Sequence, residues 1–143
     1  MLKVKDIMTR DIFTLKETDN LALARSVMNL AKIRHIPIVT ENNRFIGLLT
    51  HRDILSATVS KLAELDSQTQ KELDLGIPVL EIMNASVQTV GPEDSLREAA
   101  GLLLEHKFGC LPVLEDGFLV GIVTEADFLN LTISLLDALS QEN

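Results

Sequence analysis

The chain has 143 residues, 46% of them hydrophobic, and a formal net charge of −8. That length suits one compact domain or two small halves sharing a core, and the apolar content excludes intrinsic disorder. With 21 Asp and Glu against 13 Lys and Arg, the overall balance argues against the basic face of a nucleic-acid binder, a local basic patch aside, and with no Trp or Tyr and five Phe its stacking rings are scarce.

In chain order, residues 12–15 read as a short strand. Thr18-Asp19-Asn20 then start a helix with apolar spacing through Leu21, Ala24, Val27, Met28 and Ala31. Apolar strands at 36–39 and 45–49 flank a turn at 41–44, and a helix follows Thr50. The polar, acidic stretch 67–76 reads as the end of a long helix plus a linker. The same order then returns. Residues 87–90 read as a strand, and Pro92 to Ser95 start a helix in which Ser95 and Glu98 fit a capping box. Leu96, Ala99, Leu102, Leu103 and His106 carry its helical spacing. Strands at 111–114 and 118–123 flank Asp116-Gly117, a strong hairpin signal, and a last helix follows Thr124.

The return is an internal repeat. Shifting the chain by 75 residues, then by 74 after a one-residue gap, leaves 13 of 45 aligned positions identical. Ile7-Met8 falls on Ile82-Met83, Pro37 on Pro112, Gly47 on Gly121, Thr50 on Thr124 and Asp53 on Asp127. Each copy is strand, helix, strand, strand, helix, with repeat one over 1–66, a linker over 67–78 and repeat two over 79–143. Two copies are too few for a solenoid, so an α/β (α+β) pair packed about a pseudo-twofold axis is expected.

Thr50-His51-Arg52-Asp53 and Thr124-Glu125-Ala126-Asp127 stand at strand-to-helix junctions. A Thr with a carboxylate three residues on is a capping box. The same junction suits a nucleotide, because free N–H groups at a helix start attract phosphate and a carboxylate accepts from a ribose diol. Both roles can coexist. Gly47 and Gly121 inside strands suggest a bulge, a close approach of backbone or ligand, or a packing need. Pro37 and Pro112 within apolar strands imply edge positions. Cys110, the lone cysteine, reads as a small core residue. His35, His51 and His106 are widely spaced, with no metal-ligand pattern, and no nucleophile elbow, P-loop or GxGxxG motif occurs. No cofactor requirement and no enzymatic activity are expected. No apolar run approaches the roughly 20 residues of a membrane span, and the N-terminus lacks a signal peptide's apolar stretch, so a cytoplasmic protein without membrane partners is expected.

The ordered set of motifs, occurring twice, resembles the cystathionine-β-synthase-type (CBS) domain. It comprises Ile7-Met8-Thr9, Phe13-Thr14-Leu15, His35-Ile36-Pro37-Ile38-Val39 and Gly47 to Asp53. In the second copy it comprises Ile82-Met83, Val87-Gln88-Thr89-Val90, Leu111-Pro112-Val113 and Gly121 to Asp127. The chain is similar to a stand-alone CBS pair, or Bateman module. The resemblance implies two clefts for an adenosine-type effector: AMP, ADP, ATP, S-adenosylmethionine or a cyclic dinucleotide. The first cleft would combine Thr50 and Asp53 with Ala85, Val87, Gly109, Cys110, Leu111 and Pro112, with His51 and Arg52 on its own helix. The second would combine Thr124 and Asp127 with Arg10, Ile12, Arg34, His35, Ile36 and Pro37. The second is expected to be the better phosphate binder, through Arg10, Arg34 and His35, although Glu125 opposes it.

Two functions compete. One is a regulatory sensor whose readout acts in trans on a protein target. The other is a ligand-free dimerisation or docking scaffold whose Thr-x-x-Asp motifs only cap helices. Leu129, Leu131, Ile133, Leu135, Leu136 and Leu139 give the last helix more apolar surface than one face needs, so a homodimer through the terminal helices is expected in either case.

Overall fold

The computed structural model describes residues 1–59, 67–107 and 109–141. In chain order the elements are α1 (Val4–Ile7), β1 (Leu15–Lys16), α2 (Leu21–Ala31), β2 (His35–Val39), β3 (Phe45–Thr50), α3 (His51–Val59), α4 (Ser67–Leu75), a 3-10 turn (Val79–Glu81), α5 (Leu96–Glu105), β4 (Cys110–Glu115), β5 (Phe118–Thr124) and α6 (Glu125–Gln141). The stretch expected to end a helix and continue as a linker is therefore helical over Ser67–Leu75. Residues 60–66, where the preceding helix was expected to run on, lie outside the described residues.

The chain forms two compact units, one of Phe13–Val87 and one of Met1–Ile12 with Gln88–Asn143. In the first, β1, β2 and β3 make a sheet in that order, β1 parallel and β3 antiparallel to β2. Its core holds Leu15, Leu21, Ala24, Met28, Ile36, Ile38, Leu49, Ile54 and Val79. In the second, β4 and β5 pair antiparallel over a core of Val4, Met8, Val90, Leu96, Ala99, Leu103, Leu111, Val113 and Val123. The repeat offset maps most of one core onto the other. It also maps Val4, from the start of the chain, onto Val79. The helical and strand periodicities thus deliver the same side chains to two equivalent cores, each large buried one contributing about 1.5–3 kcal/mol.

Local chemistry sets the element ends. Asn20 caps α2 by accepting from the Leu23 N–H at 3.1 Å, and Ser95 caps α5 by accepting from that of Glu98 at 3.1 Å. Asp116 and Gly117 both have positive φ, 53° and 87°, as a two-residue hairpin turn between paired Glu115 and Phe118 requires. The strand expected over 12–15 is confined to Leu15 and Lys16. The one expected over 87–90 reduces to a bridge between Val90 and Val113. The difference between the copies has a plain cause. The Glu17 N–H continues the ladder to the Val39 carbonyl at 3.2 Å, and the matching position is Pro92, which has no N–H.

Pro112 stands on an edge strand, as expected, but Pro37 does not. Pro37 lies in the middle strand of its sheet, not an edge. It is tolerated because its partner Leu48 turns both backbone groups away, exchanging 2.9 Å hydrogen bonds with Asn84. The missing N–H therefore faces away from β3. Pro112 repeats this opposite Ile122, which bonds Thr9 at 3.0 and 2.9 Å.

Two lysines of the first dozen residues, Lys3 and Lys5, clasp Glu93 at 2.6 and 2.8 Å. Their hydrogen bonds lower the Glu93 carboxyl from 4.5 to about 2. A carboxyl depressed on folding stabilises fully above its unfolded value and loses that contribution as the pH falls towards its folded value. Glu93→Gln is therefore expected to lower the thermal midpoint at pH 7, and the gap to wild type should close as the pH falls from 5 to 2. A gap that persists at pH 2, or is unmoved by about 1 M salt, would exclude this ion pair as its source.

Candidate functional site

Both Thr-x-x-Asp junctions bond the Thr N–H to the carboxylate at a strand end, but only the first closes the reciprocal capping box. The Asp53 Oδ2 accepts from the Thr50 N–H at 2.9 Å, and Thr50 Oγ1 accepts from the Asp53 N–H at 3.1 Å. At the second junction the Asp127 Oδ2 accepts from the Thr124 N–H at 2.9 Å and from its hydroxyl at 3.4 Å. Both carboxylates are held half-buried at the first turn of a helix, where the peptide dipoles present positive charge. Hydroxyl donors and an anion can meet at one such spot.

Strand register brings the neighbours in. His35 lies opposite Thr50, and the His51 N–H donates to the Arg34 carbonyl at 2.8 Å. Ile36 and Pro37 continue the strand, buried. Leu48, two residues before Thr50, bridges Asn84, and Ala85 and Val87 follow on that segment. The unit with Thr50 and Asp53 thus also carries Arg34, His35, Ile36, Pro37, His51, Arg52, Ala85 and Val87. In the other unit Cys110 lies opposite Thr124, with Gly109 before it and buried Leu111 and Pro112 after it. Ile122 bridges Thr9, and Arg10 and Ile12 follow. The expected grouping of Thr50 and Asp53 with Gly109 to Pro112, and of Thr124 and Asp127 with Arg34 to Pro37, joins residues of different units.

The glycines have a packing cause. A Cβ on Gly47 would lie 2.5 Å from Met83 Sδ, and one on Gly121 2.7 Å from Met8 Sδ and 3.0 Å from the Thr9 carbonyl oxygen. Both expected features coincide there, because the strand register also shifts beside each glycine. The Ile-Met motif is thereby explained: its methionine seats the segment on a glycine of the strand that leads to the junction. Cys110 is buried, and burial pushes its thiol up to about 12, which leaves it inert.

Sequence reasoning missed Thr9 and Asn84 as site residues. The Thr9 hydroxyl donates to Asp127 Oδ1 at 3.5 Å, whereas Asn84 Oδ1 accepts from the Ser86 N–H at 2.9 Å. The repeat offset pairs the two positions, which was the available signal. Among the described residues no group of three or more His, Cys, Asp or Glu could hold a metal ion, and no helix is long and apolar enough to cross a membrane.

Two mixed α/β units, each ending a hairpin in Thr-x-x-Asp with the Thr N–H on the carboxylate, define a tandem-repeat architecture. A family model described as the CBS domain matches residues 4–60 and 79–134, and the chain belongs to that family. It is 33% identical over 127 residues to the CBS domain-containing protein YhcV of Bacillus subtilis, covering 89% of this chain and 83% of that one. It is 32% identical over 124 residues to a homoserine O-acetyltransferase of Methanohalophilus mahii, covering 86% of this chain but only 23% of the enzyme. The chain spans less than half the length of several curated relatives it matches.

Among solved structures it is similar to AcuB of Vibrio cholerae, named for acetoin utilization, with a TM-score of 0.81 and 38% identity over 100% of this chain and 98% of that one. CBSX2 in complex with AMP gives a TM-score of 0.80 at 27% identity, over 94% and 98% of the two chains. The CBS domain pair of protein MJ0100, in complex with 5′-methylthioadenosine and S-adenosyl-L-methionine, gives 0.77 at 25% identity, over 94% and 98%.

Proposed function

We propose that the chain is a regulatory module that binds an adenosine-type ligand and signals to a protein partner in trans, in the cytoplasm, without catalysing a reaction. The observation that carries this is the twice-built junction: a carboxylate fixed at a helix start, in a chain whose relatives CBSX2 and MJ0100 hold AMP and S-adenosyl-L-methionine. Asp53 and Asp127 would accept from the ribose diol. Thr50 and Thr124, the helix N–H groups, and Arg10, Arg34, His35, His51 and Arg52 would serve phosphate or another acidic group. Ile12, Ile36, Pro37, Ala85, Val87, Gly109, Cys110, Leu111 and Pro112 would shape the adenine pocket. AMP, ADP, ATP, S-adenosylmethionine and cyclic dinucleotides share the adenosine these groups recognise. A ligand shifts the module only by its preference for one of its states, which the partner then reads.

The row Leu129, Ile133, Leu135, Leu136 and Leu139 on α6, each more than half exposed, supports a homodimer through that helix. The alternative function is a ligand-free dimerisation or docking scaffold. The capping bonds favour it, since Thr50 and Asp53 already serve each other.

A thermal-shift panel of adenylates, S-adenosylmethionine, GTP and cyclic dinucleotides at about 1 mM separates the two. A ligand at roughly 100 times its Kd adds about 2.7 kcal/mol and raises the midpoint by several degrees. The rise should be selective for one adenosine compound and should disappear on Asp53→Ala, Asp127→Ala or both. A flat panel on nucleotide-free protein would select the scaffold. A 15.8 kDa species independent of concentration in sedimentation would exclude the dimer.

A further inference from the structure

The two junctions are not equivalent acceptors. A carboxylate offers about four lone-pair sites. Among the described residues Asp53 takes one protein donor, the Thr50 N–H. Asp127 takes three: the Thr124 N–H and hydroxyl on Oδ2, and the Thr9 hydroxyl on Oδ1. A ribose diol brings two hydroxyl donors. Asp53 can accept both with its bonds intact, whereas Asp127 must first give up a protein donor. At the position matching Thr9 the other unit has Asn84, whose side-chain oxygen is turned onto the Ser86 N–H. Charge runs the same way. Arg34, His35, His51 and Arg52 share the unit of Asp53, while the unit of Asp127 sets Arg10 against Glu125 at the start of its helix.

We infer that ligand occupancy is graded by the residue after the Ile-Met motif: the Asp53 site is open and fills first, and Thr9 holds the Asp127 site closed. Thr9 is a positioning residue, acting through Asp127. The inference rests on the adenosine-binding reading and reverses the order expected from sequence, which favoured the Asp127 cleft for phosphate.

Calorimetric titration of the full chain with AMP, repeated with 2′-deoxy-AMP, tests it. Wild type should take up one AMP per chain in the tight phase. Asp53→Asn should weaken that phase by about tenfold or more, the effect of losing a charged hydrogen-bond acceptor. Thr9→Val should bring up a second AMP per chain, and Asn84→Thr should weaken the first. Removing the 2′-hydroxyl should weaken the tight phase in wild type and leave little further loss in Asp53→Asn. Thr9 and Asn84 lie outside the capping bonds, so those variants keep the test open if an Asp variant unfolds. Tight binding that depends on Asp127 and not Asp53, two equal sites in wild type, or a Thr9→Val protein indistinguishable from wild type would overturn the inference alone. No uptake of AMP or S-adenosylmethionine by wild type would overturn the adenosine reading with it.

Discussion

Gly121→Ala is expected to destabilise the protein by about 1–3 kcal/mol, and Gly47→Ala by about 1 kcal/mol or less. Neither glycine has a positive φ, so alanine meets no backbone strain at either site and gains about 0.4–1 kcal/mol by restricting the unfolded chain. The difference lies in what the new methyl group meets. At Gly47 only Met83 is close, with its sulfur at 2.5 Å, and a methionine can turn aside. At Gly121 the methyl group meets the Met8 sulfur and also the Thr9 carbonyl oxygen at 3.0 Å. That carbonyl accepts from the Ile122 N–H, and the Thr9 N–H donates back to Ile122 at 2.9 Å, so the backbone is pinned from both sides. Urea unfolding of the two variants measures the gap. Equal losses, or a larger loss at Gly47, would show that the Thr9 backbone yields as easily as a side chain.

Arg25→Ala is the second large effect. Asp74 on α4 is 4% exposed, and its Oδ2 accepts from the Arg25 Nε at 2.8 Å. Removing the arginine leaves a carboxylate short of its countercharge. Breaking a fully buried pair costs about 3–5 kcal/mol. The Arg25 side chain is 28% exposed, so water reaches the site and about 2–3 kcal/mol is expected here. Asp74→Asn should cost less, because it removes the charge with the pairing, and the double variant Arg25→Met with Asp74→Leu should recover most of the loss. The pair fastens α4 to α2. The chain then returns as strand-like backbone, with the Leu21 N–H donating to Ile77 at 2.8 Å and the Val79 N–H to Asp19 at 3.0 Å. A loss within about 0.5 kcal/mol, the range of ordinary surface substitutions, would mean that Asp74 is served by water instead.

Features set by neighbouring residues were legible in the sequence. Asp116-Gly117 specified its turn, Ser95 its cap, and each Thr-x-x-Asp the bond from the Thr N–H to its carboxylate, because every partner lies within three residues. Most core positions followed from periodicity, although His106, expected on the apolar face, lies exposed past the end of α5, and the equivalence of Leu49 and Val123 followed from the repeat. Contacts between distant segments were not legible. Nothing near Gly121 announces that Met8 will lie on it, nor does Asp127 announce Thr9, and the apolar strand around Pro37 gives no sign that Leu48 faces Asn84. Chemistry limited the reading of the site in another way. A carboxylate that caps a helix and one that awaits a ribose have the same spacing, and they separate only when the donors on each oxygen are counted.

The membership of Met1–Ile12 in the later unit has a consequence for biosynthesis. The residues of Phe13–Val87 are contiguous and can close their core while translation is still under way. Val4, Ile7 and Met8 leave the ribosome well before the residues among which they sit, Leu96, Val113, Gly121 and Val123. At ordinary elongation rates that interval is on the order of ten seconds. During it the nascent chain carries an uncovered apolar segment open to capture by chaperones or a second nascent copy.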